Sequence, residues 1–211
     1  MPDVEGTPAG TVGQNLRAAR ERQGINLREL SRRIDVSPSL ISQIETGKVR
    51  PSVRTLLAMA TELRASVDEL LAWDANGAPT PSETGAAAPP HPTGPVQRAG
   101  RRRRATLEGG VTLERLTPGA EPGVDFMLVT YDVGASSSST DMTRHGGREY
   151  GIVLEGRLGI RIQDETYELG TGDSIAFDSR VPHRFWNAGD EPVRSVWVDM
   201  WQAGTTRRPA R

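Results

Sequence analysis

Three side chains in this sequence have the types and the spacing to do chemistry. The stretch Thr143 to Gly156 reads T-R-H-G-G-R-E-Y-G-I-V-L-E-G, so His145 stands four residues ahead of Glu149 and an apolar, β-branched run follows. His183 lies downstream in G-D-S-I-A-F-D-S-R-V-P-H. The chain holds 3 histidines, and two of them fall in these segments. Two imidazoles and one carboxylate are competent to hold a divalent cation such as zinc, iron, manganese or nickel. Such a set holds non-haem iron with positions left open, and three protein ligands with an open fourth suit zinc. The other reading makes His145 and His183 ordinary hydrogen-bonded residues of a β-domain, with Glu149 paired to Arg144 or Arg148.

The rest of the chain must place these groups. Its 211 residues allow one large domain or two small ones. The 26 basic and 27 acidic residues nearly cancel, but they are not evenly spread. Val12 to Arg64 holds ten basic against five acidic residues, and Arg101 to Gly204 holds twelve against sixteen. That asymmetry suggests a different partner for each half. There are 0 cysteines, which excludes disulfides, thiolate metal sites and cysteine nucleophiles. The start, M-P-D-V-E-G-T-P-A-G, does not read as a signal peptide. No apolar run approaches the roughly 18 residues of a membrane span. These features suggest a cytoplasmic chain with no membrane partner.

Residues 1–11 read as a disordered arm, because they carry Pro, Gly and acids without periodicity. From Val12 to Trp73 the spacing is helical. Val12, Leu16 and Ala19 share a face, and Gly24 ends the first helix. Asn26 caps a second, with Glu29 at the capping-box position and Leu27, Leu30 and Ile34 as its stripe. Ser37-Pro38 starts a third helix that buries Leu40, Ile41 and Ile44. Ser52 and Ser66 cap a fourth and a short fifth. A very tight turn joins the second helix to the third, which is the helix-turn-helix arrangement.

The segments L-R-A-A-R-E-R-Q-G, L-R-E-L-S-R-R-I, V-S-P-S-L-I-S-Q-I-E-T-G and P-S-V-R-T-L-L-A-M-A resemble the lambda-repressor-like, or XRE-family, DNA-binding domain. The resemblance implies a third helix that enters the major groove, and an ion pair between Arg20 and Glu45 that ties the first helix to the third. Ser37, Ser39, Ser42 and Gln43 are uncharged hydrogen-bonders suited to base edges. Lys48, Arg50 and Arg54 are phosphate candidates, and the amides near Asn26 can take another phosphate. Arg28, Arg32 and Arg33 read equally well as a solvated face.

Residues 74–100 are rich in Pro, Gly and Ala and read as a linker; His91 lies within it. Arg98 and Arg101 to Arg104 either reach DNA or open the first strand with one face wet, and the strand reading is favoured. From there the chain reads as short strands at 102–107, 111–116, 124–133, 148–155, 157–163, 166–169, 173–177, 183–187 and 193–199, with no helix needed after residue 75.

Residues 101–202 resemble a cupin domain of the cupin-2 type, an all-β double-stranded β-helix or jelly-roll barrel. The first motif, H-x3-E-x6-G, runs from His145 through Glu149 to Gly156. The second runs from Gly172-Asp173 through Pro182-His183 to Asn187. Metal-binding cupins usually start the first motif with His-x-His, and the first of those positions is Thr143, a poor ligand. Strand alternation turns Glu149, Gly151 and Val153 inward, with Gly151 leaving room for a ligand. On the second-motif strand His183, Phe185 and Asn187 share that face, so Gly151, Val153, Phe185 and Asn187 are the pocket candidates. Met127, Phe177 and Trp197 are possible walls. Residues 203–211 form a basic tail.

The expectation is a multi-domain chain: a five-helix all-α domain at 12–73 that binds double-stranded operator DNA, and a barrel that dimerises and senses a small molecule or metal. It is read as a regulator and not an enzyme. The alternative is a mononuclear non-haem iron cupin enzyme, like the phosphonate epoxidases that share this layout, with an accessory helical domain. Neither the operator, the sign of regulation nor the effector follows from the sequence.

Overall fold

The computed structural model describes residues 12–71, 94–121, 123–139 and 142–200. The expected arm at 1–11, the linker from 74 to 93 with His91, and the tail at 203–211 lie outside the described residues.

The amino-terminal domain comprises α1 (Val12–Arg22), α2 (Leu27–Ile34), α3 (Pro38–Glu45), α4 (Val53–Leu63) and α5 (Val67–Leu70). The fifth is a single turn of 4 residues, so four helices carry the bundle. Side-chain oxygens close the helix starts. Asn26 accepts from the Glu29 amide, Ser37 from Leu40, Ser52 from Thr55 and Ser66 from Glu69. Each satisfies an N–H that the helix cannot pair internally. The expected capping box at Asn26 departs from its pattern, because the Glu29 carboxylate turns to Arg32 and Arg33. The reciprocal box sits at Ser66 and Glu69.

Leu16, Leu30, Ile41, Ile44, Leu56, Met59 and Leu63 close the helical core. Each such side chain contributes about 1.5–3 kcal/mol by leaving water. Beside that core, Arg20 donates to Glu45 through two bonds, Nε to Oε1 at 2.6 Å and Nη2 to Oε2 at 3.0 Å. Its third nitrogen donates to the Ile25 carbonyl at 2.9 Å. The pair between the first and third helices is present as expected.

The carboxy-terminal domain is built from β1 (Arg104–Thr106), β2 (Val111–Arg115), β3 (Val124–Tyr131), β4 (Arg148–Glu155), β5 (Leu158–Ile162), β6 (Glu165–Leu169), β7 (Ser174–Asp178), β8 (His183–Asn187) and β9 (Val193–Met200). They form an antiparallel six-stranded sheet ordered β1-β2-β3-β9-β4-β7 and a three-stranded sheet ordered β6-β5-β8. The inner faces meet through rings: Phe185 of β8 lies 4.7 Å from Trp197 of β9, centroid to centroid, and 6.2 Å from Phe177 of β7. A short 3₁₀ turn at Ala99–Arg101, which the strand pattern did not require, leads into β1. Arg102 and Arg104 both pair with Glu114 of β2, so this part of the basic cluster opens the first strand. Gly156 turns β4 into β5 at φ 80°, a conformation costly for any side chain bearing a Cβ.

The two domains touch through α4. The Arg54 amide, in the first turn of α4 where the helix supplies no carbonyl for it, donates to the Ser137 carbonyl at 3.2 Å. The Glu108 amide donates to the Pro51 carbonyl at 3.0 Å. No helix among the described residues is long and apolar enough to cross a membrane.

Candidate functional site

Three different elements bring the histidines and the glutamate together. Glu149 sits on β4, where its neighbours Arg148 and Tyr150 face outward and it faces inward. His183 opens β8 on the opposite sheet. His145 lies just ahead of β4, on a segment fastened to the second sheet. Thr143 and His183 exchange backbone bonds of 2.7 and 2.8 Å, and the His145 amide donates to the Ser179 carbonyl at 2.9 Å. That bridge carries the first motif across to the second.

The three side chains converge on one point. Glu149 Oε1 lies 3.0 Å from His145 Nε2 and 3.3 Å from His183 Nε2. One ligand atom from each residue lies within 4.8 Å of the others, and all three residues are buried. His183 Nδ1 lies 2.9 Å from the Val181 carbonyl, a partner that can only accept, so Nδ1 carries the proton and the Nε2 lone pair faces Glu149. Burial holds the His183 imidazole below its ordinary 6.5. Burial pushes the Glu149 carboxyl up, but the hydrogen bond from His145 and the charges of His145 and His183 outweigh it, so the group ends below 4.5. A carboxylate buried this deeply needs positive charge beside it, and either a proton held on His145 or a divalent cation can supply it; the donor set fits a cation. Behind His145, Asp199 Oδ2 stands 3.6 Å from Nδ1, the outer carboxylate that often orients a ligating histidine. Thr143 is buried beside the triad and contributes its backbone to the bridge.

The triad opens into a cavity of about 70 Å³. Phe185, Met127 and Trp197 line it, as the sequence suggested, together with Leu113, Val129 and Tyr131. The other pocket candidates are placed differently. Gly151 faces inward, but a Cβ there would lie 2.6 Å from the Trp197 ring, so the glycine makes room for an indole and not for a ligand. Val153 is 1 % exposed and packs in the core behind the cavity. Asn187 spends its side chain on the backbone: Nδ2 donates to the carbonyls of Tyr131, Asp132 and Glu191, and Oδ1 accepts from the Gly189 amide. Phe177 lies 5.0 Å from the His183 ring and braces it.

Sequence reasoning missed two contributors. Asp199 is legible only once the register of β9 is known, because it faces inward opposite Glu149. The second is the helical domain itself. Val53, Leu56 and Leu57 of α4 and Val67 of α5 line the same cavity as the triad. The available signal was a second apolar flank on α4, where Val53 and Leu57 stand one turn apart, off the face that buries Met59 and Leu63.

In the helical domain, Ser39 and Gln43 are exposed on α3 and Ser42 is half-buried. Lys48 and Arg50 follow, both exposed. Ser37, read as a base-edge residue, and Asn26 both use a side-chain oxygen as a cap, so a phosphate at Asn26 would meet the backbone amides near it. Arg54 is set apart from this group: its side chain lines a cleft of about 260 Å³ between the two domains, shared with Arg144 of the barrel.

Comparison with known proteins fits both halves. Residues 16–70 match the helix-turn-helix family model, and residues 127–199 match the cupin domain model. The chain is 26 % identical over 177 residues to the HTH-type transcriptional regulator PuuR of Escherichia coli K12, spanning 83 % of this chain and 86 % of that protein. It is 26 % identical over 184 residues to the HTH-type transcriptional regulator SutR of the same organism, spanning 86 % and 90 %. The crystal structure of an HTH_3 family transcriptional regulator from Vibrio cholerae superposes with a TM-score of 0.65 at 21 % identity, over 90 % of this chain and 95 % of that one, which shows a common fold. The chain thus carries a helix-turn-helix domain followed by a cupin domain, and it is similar along most of its length to HTH-type transcriptional regulators.

Proposed function

We propose that the chain is a cytoplasmic, sequence-specific DNA-binding transcriptional regulator whose cupin domain senses a small molecule or a metal and holds the active dimer. The observation that carries this is the pairing of an exposed polar stripe, Ser39 and Gln43 on α3, with a buried His145–Glu149–His183 site in the other domain. The stripe addresses base edges, while Lys48 and Arg50 beside it address phosphates.

His145, Glu149 and His183 would hold the divalent cation, and zinc, iron, manganese and nickel all accept this ligand set. When bound, the metal supplies a fixed positive charge that can anchor an effector's polar end. The chain's own groups exclude water around it and orient the imidazoles through Val181 and Asp199.

Support for a dimer comes from the outer face of the large sheet. Tyr150, Ile152 and Leu154 of β4 are each 41–42 % exposed, and they adjoin Val196 and Val198 of β9. An exposed apolar strip of this kind is a protein contact surface, and a second copy fits the need to read two half-sites about one helical turn apart.

Footprinting on DNA flanking its own gene tests the reading. Protection by the native chain, lost in Ser39→Ala with Gln43→Ala while the dimer persists in ultracentrifugation, is the expected result. Iron-dependent oxygen consumption without any sequence-specific protection would overturn it in favour of an oxygenase.

A further inference from the structure

The cavity beside the triad is not a property of the barrel alone. Its open side is closed by the helical domain, through Val53 and Leu57 of α4. These two residues share a flank of α4 that is distinct from its core-facing side of Leu56, Met59, Ala60 and Leu63. Without the barrel that flank would be an exposed apolar stripe, which gives the docked arrangement a basis in the sequence itself.

Size decides what the cavity can enclose. Its volume of about 70 Å³ is enough for an ion with a water or two. It is about half of the roughly 150 Å³ at which an apolar cavity admits a benzene-sized guest. An organic molecule of six carbons that is to be enclosed beside the triad must therefore move a wall. Most of the barrel's share of the wall is strands hydrogen-bonded within their sheets. The helical domain supplies the rest, α4 with Val67 of α5, and it meets the barrel through the bonds Arg54 N–H to Ser137 and Glu108 N–H to Pro51, the latter just ahead of α4. The helix is the wall that can move as a unit.

Chemistry narrows the ligand. Apart from the triad pole, the wall is largely apolar, with Leu113, Met127, Val129, Phe185 and Trp197. The adjoining 260 Å³ cleft shares Thr143 and His145 with the cavity and carries Arg33, Arg54, Arg144 and Arg180 against Asp35 and Glu62. Arg33 is paired to Glu29 and Glu62, and Arg180 to Asp178. Arg144 pairs with no carboxylate among the described residues. A seam with excess guanidinium draws anions toward its entrance.

We propose that α4 is the removable wall of the cupin pocket, and that an aliphatic monocarboxylate of about six carbons, seated at the triad, lifts the helical domain off the barrel. This rests on the regulator reading, and it supplies the two arrangements between which a ligand must discriminate. Pro51 closes the loop that carries Lys48 and Arg50, so release of the domain also frees the segment that meets phosphates.

Competition between ligand and docking has a consequence that a simple wall does not. If the ligand merely rested against Leu57, losing that side chain would weaken binding. If the ligand must displace it, weakening the dock strengthens binding, because linkage is reciprocal.

The cysteine-free chain allows a direct test. Cysteines placed at the exposed Arg28 and Glu168 carry a donor–acceptor dye pair on full-length, Mn(II)-loaded protein without DNA. Manganese alone and acetate should leave the inter-dye distance unchanged, and hexanoate should lengthen it. In calorimetry, Leu57→Ser should bind hexanoate at least threefold more tightly than the native chain. Val53→Ala serves as a milder second variant with a smaller gain in the same direction. Hexanoate binding with no change in distance, no binding of hexanoate at all, or weaker binding to both variants overturns the proposal. An unchanged distance with intact footprints refutes this inference alone. Absent footprints with a lengthened distance refute the regulator reading and leave the moving wall standing.

Discussion

Gly151 and Trp197 face each other across adjacent strands of the large sheet, and the glycine exists for the tryptophan. They are directly paired in register, and a Cβ at 151 would lie 2.6 Å from the ring. The indole lies flat against the bare backbone, donates through Nε1 to Ser195 Oγ at 2.9 Å, and presents its edge to Phe185. Gly151→Ala should push the ring toward the triad cavity and cost about 1–3 kcal/mol, the usual cost of overpacking a filled core. Urea denaturation measures the loss. A variant as stable as the native chain would mean that the indole has somewhere else to go.

Arg20 and Glu45 are separated by 25 residues in the chain and joined by two short bonds, with side chains only 11 % and 7 % exposed. Removing one partner leaves the other charge buried without compensation. Glu45→Gln should destabilise the helical domain by about 3 kcal/mol. Replacing both, as Arg20→Met with Glu45→Leu, should cost less than the single change. The comparison of single and double variants by denaturant unfolding checks both statements.

Acid should act on the helical domain through Glu29. Hydrogen bonds from Arg32 and Arg33 hold its carboxyl at about 2, below its ordinary 4.5. A folded-state value below the unfolded one means that the unfolded chain binds the proton first. The contribution is therefore complete above pH 4.5 and is lost as the pH falls toward 2. Glu29 sits at the surface, so salt should shrink the effect. Carboxyl-carbon NMR titration should give a Glu29 midpoint well below 4.5 at low ionic strength, moving upward in 1 M salt, roughly where the screening length is ~3 Å.

Metal binding should stabilise the barrel by mass action. At a hundredfold excess of metal over its dissociation constant, the gain is about 2.7 kcal/mol. Thermal melts with and without Zn(II) or Mn(II) should show the shift. His145→Ala and His183→Ala should each abolish it, and Asp199→Asn should reduce metal affinity about 10–100-fold, as loss of an orienting carboxylate does elsewhere. An undiminished shift in His183→Ala would remove that residue from the ligand set.

The parts of this molecule that obey local rules were open to reading from the sequence. Asn26, Ser37, Ser52 and Ser66 cap where a hydroxyl or amide precedes an apolar stripe, because an unpaired first-turn N–H must be met nearby. Glu149 faces inward because period two along β4 leaves it no other choice. The H-x3-E spacing with a later His named the triad before any geometry was known. What escaped depended on partners far away in sequence. Gly151 looked like a vacancy until β9 placed an indole against it. Asn187 looked like a ligand contact, but its amide serves three carbonyls, two of them more than fifty residues away. Arg54 looked like a phosphate contact, yet its flank of α4 turns toward the barrel. Spacing gives the direction of a side chain on its own element, and not what another element will place in front of it.

Two hydrogen bonds that join the domains among the described residues, Arg54 to Ser137 and Glu108 to Pro51, run from main chain to main chain. Substitution at any of these positions leaves the bonding groups in place, provided that proline does not take the two donor positions. These two bonds are thus insulated from mutational drift, while the residues that fill the space beside them are not. Such a chain can change what it responds to by altering Met127, Leu57 or Phe185 and still inherit the connection that makes the response matter.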